Sequence, residues 1–217
     1  MKYRYTAEEK VTVWLDSFES LTYQQKIKII SAVQPITKMV TDFEECTDTL
    51  LKIIPQETLN LLKDTLADGD YLCSLLSKLE KEDIFFITLL SPEYPQSLAN
   101  ISAPPVILYC KGNRNLLKSR RFAIVGSRRT LTWAQAFTRE LSANLSKHFT
   151  IVTGLAEGGD LAAIEGVLQS CKNTENDNLD APMPVISVLA YGFDHVYPAE
   201  HADILQTIAK RGLVLTE

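Results

Sequence analysis

Three times in its second half the sequence repeats one phrase: an apolar run of strand length, a short turn, and a stretch of helical period. Phe122-Ala123-Ile124-Val125 leads into Gly126-Ser127-Arg128-Arg129-Thr130 and a helical stretch over 132–147. Thr150-Ile151-Val152-Thr153 leads into Gly154-Leu155-Ala156-Glu157-Gly158-Gly159-Asp160 and a helix over 160–170. The run 184–190 leads into Tyr191-Gly192-Phe193-Asp194-His195-Val196-Tyr197-Pro198 and a helix over 199–210, after which Leu213-Val214-Leu215 starts a fourth strand. Strand and helix in strict alternation have few solutions: the strands pair in parallel through right-handed crossovers, and helices cover the sheet. Continuous apolar runs such as Phe122–Val125 read as strands of the fully buried kind. The expectation is an α/β chain built on a parallel sheet.

Glycine marks where that region begins. Of nine glycines only Gly69 lies in the first 80 residues, and the rest lie between Gly112 and Gly212. The glycine-poor part reads as about five short helices. Val11, Leu15 and Phe18 fall at i, i+4, i+7, as do Tyr23, Ile27 and Ile30, each set forming one apolar stripe. Thr22 followed by Gln25 has capping-box spacing, and Pro35 marks a stop. Pro55 suits the opening of a helix carrying Leu59, Leu62 and Leu66, and a last helix presents Leu72, Leu75, Leu76 and Leu79. Residues 1–80 are therefore expected as a small all-α domain, 81–121 as a bridge with one or two strands, and 122–217 as the α/β domain. No chemistry-bearing motif stands in the helical part, and a helix-hairpin-helix DNA module would need hairpin glycines that are missing.

Composition narrows the class. With 46% hydrophobic and 23% charged residues the chain is of ordinary globular type. No apolar run spans a bilayer, and the charged N-terminus has no signal-peptide core. Cys46, Cys73, Cys110 and Cys171 stand far apart, so neither a zinc site nor a disulfide framework is indicated. We expect a cytoplasmic protein with free thiols, no metal and no cofactor. The net charge of −5 conceals an uneven distribution: Lys111, Arg114, Lys118, Arg120, Arg121, Arg128 and Arg129 fall in one stretch that holds no acidic residue. Such a run is often only a solvated face, and it gains meaning where it adjoins a site.

In a parallel sheet each strand-to-helix turn lies at the carboxyl edge, where ligands bind. A glycine there admits a ligand to the backbone, and the following helix presents unpaired N–H groups that suit phosphate. Ser127 adds a hydroxyl donor, and Arg128 a planar fork matched to phosphate. The plainer alternative is a tight turn beside a surface arginine. Trp133, Tyr191 and Phe193 lie in or beside these turns, where aromatic rings either stack exposed bases or pack helix on sheet. Enzyme patterns fail on spacing: there is no G-x-G-x-x-G, no G-x-x-x-x-G-K-[ST] and no G-x-S-x-G. His148, His195 and His201 are isolated, and Asp160 reads as a helix N-cap rather than an acid or base. Binding chemistry is present, and reaction chemistry is sparse.

Several of these segments, in this order, resemble the DNA-processing protein A family (DprA/Smf): Tyr94-Pro95-Gln96-Ser97-Leu98, Pro104 to Gly112, Ala123-Ile124-Val125-Gly126-Ser127-Arg128, Thr153 to Asp160, and Gly192 to Pro198. The resemblance covers residues 83–217. It implies a Rossmann-like domain, preceded by a small helical domain like a sterile alpha motif, that binds single-stranded DNA and helps load a RecA-type recombinase in natural transformation. Members are not known as enzymes, and they form homodimers. By resemblance Gly126, Ser127, Arg128 and Arg129, with Arg121 before them, hold phosphate, while Gly154, Gly158 and Asp160 shape the second turn. Gly192, Phe193, Asp194, Tyr197 and Pro198 shape the third, with Trp133 a base platform. The chain departs from the pattern at Glu157, Gly159, Ile164 and Trp133-Ala134. The family domain also continues with further strands, basic residues and a dimer surface past 217, so a piece of a longer protein is expected. The rival from another class is a nucleotide-binding enzyme or sensor, although the P-G-G-x-G-T-x-x-E pattern of nucleoside-monophosphate phosphoribohydrolases is absent.

Overall fold

The computed structural model describes residues 3–172 and 182–217. The chain divides into two compact units, residues 1–108 and 109–217, so the stretch 81–121 is shared between them.

The first unit is mostly helical: α1 (Ala7–Asp16), α2 (Tyr23–Ala32), α3 (Lys38–Thr41), α4 (Phe43–Leu51), α5 (Gln56–Ala67) and α6 (Tyr71–Lys81) precede strand β1 (Phe85–Thr88) and the single turn α7 (Gln96–Ala99). Two capping boxes set the first helix starts. Glu9 N–H donates to Thr6 Oγ1 at 3.1 Å, and Thr6 N–H donates to Glu9 Oε2 at 2.8 Å. Thr22 and Gln25 repeat the arrangement at α2. Each box satisfies two helix-end amides that would otherwise lack partners. Ser91 Oγ also donates to Glu9 Oε1, at 2.5 Å, so this buried carboxylate is hydrogen-bonded at both oxygens. The stripe Val11, Leu15, Phe18 is buried as expected. On α2 the expected stripe is corrected. Of its three members Ile30 is buried as expected, but Tyr23 is exposed and Ile27 half-buried, while Ile29, Val33 and Ile36 fill the core at i, i+4, i+7. The apolar side runs on past the helix end instead of stopping there.

The second unit is α/β. Strands β2 (Ile107–Gly112), β3 (Arg121–Ala123), β4 (Thr150–Thr153), β5 (Val185–Val188) and β6 (Leu213–Thr216) lie in the order β2-β6-β5-β4-β3. Helix α8 (Thr132–Leu145) joins β3 to β4, α9 (Gly159–Lys172) joins β4 towards β5, and α10 (Ala202–Arg211), after a short 3-10 turn, leads to β6. Pairing from β3 to β6 is parallel, with Phe122 opposite Ile151, Ile151 opposite Val185, and Ile186 opposite Leu213. The sheet is nonetheless mixed, because β2 runs antiparallel to β6, with Cys110 opposite Leu215. The core lies between β4, β5 and β6 and helices α9 and α10: Ile151, Ala163, Ile164, Val167, Val185, Ile208 and Val214 are fully buried. Gly166 lets the α8 backbone at Arg139 come against α9, where Ser142 Oγ donates to the Ala163 carbonyl at 2.6 Å.

The reading of Phe122–Val125 as a fully buried strand is corrected. It is the edge strand, shorter than expected, with Phe122 43% and Val125 79% exposed. Among the described residues only one side of it has a paired neighbour, so its apolar residues keep solvent contact. The loop expected over 172–180 falls outside the described residues except for Lys172, which closes α9.

Candidate nucleic-acid interface

The ends of β3 and β4 are built as one unit. The first turn starts at Gly126 and the second at Gly154, on neighbouring parallel strands, so both open at the same edge of the sheet. They touch through backbone. A Cβ placed on Gly126 would lie 2.8 Å from Gly159 Cα, and one on Gly159 would lie 2.5 Å from Gly126 Cα. Gly159 N–H donates to the Ser127 carbonyl at 3.1 Å. Gly158 takes φ +77°, and a side chain there would run into the carbonyl oxygens of Ser127 and Arg128.

Asp160 locks the pair. It is the second residue of α9 and buried, and its Oδ1 accepts from Gly126 N–H at 3.2 Å. Its other oxygen lies against Gly154. This corrects the N-cap reading: the carboxylate serves a turn 34 residues away in sequence. It also removes Gly126 N–H from the donors open to a ligand. Asp160→Ala should cost about 1–3 kcal/mol, the usual penalty for stranding a buried donor, read as a lower urea midpoint with Arg128 untouched.

The donors left open face outward. Arg129 N–H donates to Ser127 Oγ at 3.2 Å and Thr130 Oγ1 to the Ser127 carbonyl at 2.5 Å, which folds the first turn back on itself. Leu131, at the N-cap of α8, provides no side-chain hydrogen bond, so the first amides of that helix have no cap. Arg128 and Arg129 are exposed beside it and form no ion pair among the described residues. Trp133, in the first turn of α8, is 70% exposed. An uncapped helix start carries partial positive charge, so two guanidinium groups and this terminus make one electropositive corner with an indole on its rim. Glu157, exposed on the second turn, opposes it with a single negative charge.

The remaining predicted residues are distributed differently. Arg121 sits at the start of β3, the opposite end of the strand, with its guanidinium on the Leu117 carbonyl. At roughly 3.3 Å per strand residue it lies ~16 Å from Gly126. On the third turn Gly192, Asp194 and Tyr197 are exposed, Tyr197 at 64%, and Pro198 is buried. Phe193 packs against the core and is covered by Lys111 Nζ, 5.3 Å from the ring centroid, so it is a packing residue and not an open platform. His201, read from the sequence as an isolated core or surface histidine, is buried, and its Nδ1 lies 2.8 Å from the Leu155 carbonyl, tying the second turn to the start of α10. Nothing in its local sequence signals that contact.

A family model described as "DNA recombination-mediator protein A" matches residues 85–217. The chain belongs to this family. The DNA processing protein DprA of Bacillus subtilis (strain 168) is 31% identical over 145 residues, covering 66% of this chain and 45% of the relative. Protein Smf of Synechocystis sp. is 34% identical over 137 residues, covering 61% and 32%. The chain thus spans less than half the length of these relatives. The X-ray structure of DprA from Streptococcus pneumoniae aligns with a TM-score of 0.66 at 25% identity, over 99% of this chain and 68% of that one. The α/β architecture preceded by helices is therefore that of the DprA family. Among the described residues no helix is long and apolar enough to cross a membrane.

Proposed function

We propose that the corner formed by Arg128, Arg129 and the start of α8 holds the phosphates of single-stranded DNA, and that the chain acts in recombination as a binding protein and not as an enzyme. The observation that carries this reading is the pair of exposed arginines, unpaired among the described residues, beside an uncapped helix start. Guanidinium groups and helix-end amides contact phosphate without reading sequence, which suits a protein that accepts any strand. Trp133 and Tyr197 are open aromatic faces at the same edge, and stacking on such faces favours unpaired bases, whose π-surfaces are free. The family's description as a recombination mediator supports the next step, delivery of the bound strand to a RecA-type recombinase in the cytoplasm during DNA uptake.

Calorimetry separates this from the nucleotide-binding rival. Titrating the chain with an oligothymidine and, separately, with thymidine and adenosine monophosphates should give binding to the oligomer alone. Equal or tighter binding of a mononucleotide would favour a nucleotide enzyme or sensor.

A further inference from the structure

A second feature of the α/β unit is outside the phosphate corner. Between β2, β6, α10 and the third turn lies a cleft of about 220 Å³, walled by Phe193, Val196, Leu205 and Val214, with Lys111 and Gln206 as its polar groups. Leu205 and Val214 form a buried apolar floor, whereas Gln206 stands exposed at the mouth. Lys111 is its one charged group. Its ammonium lies over the Phe193 ring and meets no carboxylate among the described residues. Apolar walls with one cation and one amide select a flat apolar body that carries hydrogen-bonding edges and an attached anion. A nucleobase joined to its phosphate has that chemistry, and a free monophosphate shares it with a base in a strand.

Position favours the strand. Two of the walls, Phe193 and Val196, belong to the turn that follows β5, on the same edge of the sheet as the arginine corner. Three strand spacings, roughly 14 Å in all, separate β3 from β6, a span that a few nucleotides cover. We propose that the cleft takes one unstacked base of the strand held at Arg128, with the base between Val196 and the α10 wall, its edge at Gln206 and its phosphate at Lys111. This inference rests on the single-strand reading above. It adds a site where one base is buried while its neighbours stay on the surface.

The test uses an oligothymidine carrying a single 2-aminopurine, whose fluorescence rises when the base leaves its stacked neighbours, moved one position at a time along the strand. With the unaltered chain, one or two positions should brighten strongly and the others change little. Lys111→Met, which keeps side-chain length and removes charge, and Gln206→Trp, which closes the mouth from an exposed position, should each abolish that rise. They should weaken binding by about tenfold, of the order that burying one base contributes. Thermal melts establish that both variants are folded. If the oligomer binds, Arg128→Ala weakens it, and the brightening pattern of the unaltered chain is kept in both cleft variants, the cleft proposal is overturned while the phosphate corner stands. If free 2-aminopurine riboside monophosphate displaces the brightened base at equal concentration, the cleft is a mononucleotide site and the proposal fails. If no oligomer binds, both readings fail together.

Discussion

Replacing Gly158 by alanine is expected to lower the unfolding free energy of the second unit by about 3–4 kcal/mol. Two costs add at this position. With φ at +77° a residue bearing a Cβ is in the left-handed region, a penalty of order 1–3 kcal/mol. The new methyl would also meet two backbone oxygens, those of Ser127 and Arg128, the second at 2.5 Å. Backbone has nowhere to swing, so the first turn itself must move, and overpacking of this sort costs another ~1–3 kcal/mol. Domains of this size are stable by only about 5–15 kcal/mol, so the loss should appear as a large fall in urea midpoint. Gly192→Ala is the matched control. A Cβ there meets nothing within 4 Å and φ is not positive, so stability should hold within about 0.5 kcal/mol. Because the displaced carbonyls are those of the arginine turn, Gly158→Ala should also weaken oligonucleotide binding, at temperatures where the protein remains folded.

The second large effect is on affinity. Arg128→Ala combined with Arg129→Ala should weaken oligothymidine binding by about a hundredfold at low salt, near tenfold for each charge-assisted contact removed. The loss should be the same for thymidine-rich and mixed sequences, since phosphate contacts carry no base information. Replacement by lysine should recover part of it, because the charge stays and the planar two-pronged contact goes. Neither side chain supports the fold through an ion pair among the described residues, so thermal stability should be unchanged. That separates loss of binding from loss of structure.

Much of the architecture was legible in one dimension because it is written in local chemistry. The capping box at Thr22 and the helix opening after Pro55 depend on residues within three or four positions of each other. The strand–turn–helix rhythm needs only the period of the apolar residues. What escaped depends on partners distant in sequence. Phe122 and Val125 are as apolar as a central strand, and composition does not say that β3, among the described residues, has a neighbour on one side alone. Asp160 carries the signature of a helix cap, but its acceptor role is set by the backbone of Gly126 across the edge. Arg121 adjoins the arginine turn in sequence, yet a strand's length of extended chain puts it at the other end. Phe193 reads as an aromatic in a ligand loop until α10 and Lys111 close over it.

The central idea, that the Arg128 corner neutralises strand phosphates, is tested most directly by the salt dependence of oligothymidine binding. Each phosphate neutralised on a single strand contributes about −0.7 to the slope of log K against log salt concentration. The account predicts that removing both Arg128 and Arg129 makes that slope shallower by about 1.4. An unchanged slope, with affinity equal to that of the unaltered chain, would place the strand elsewhere on the molecule.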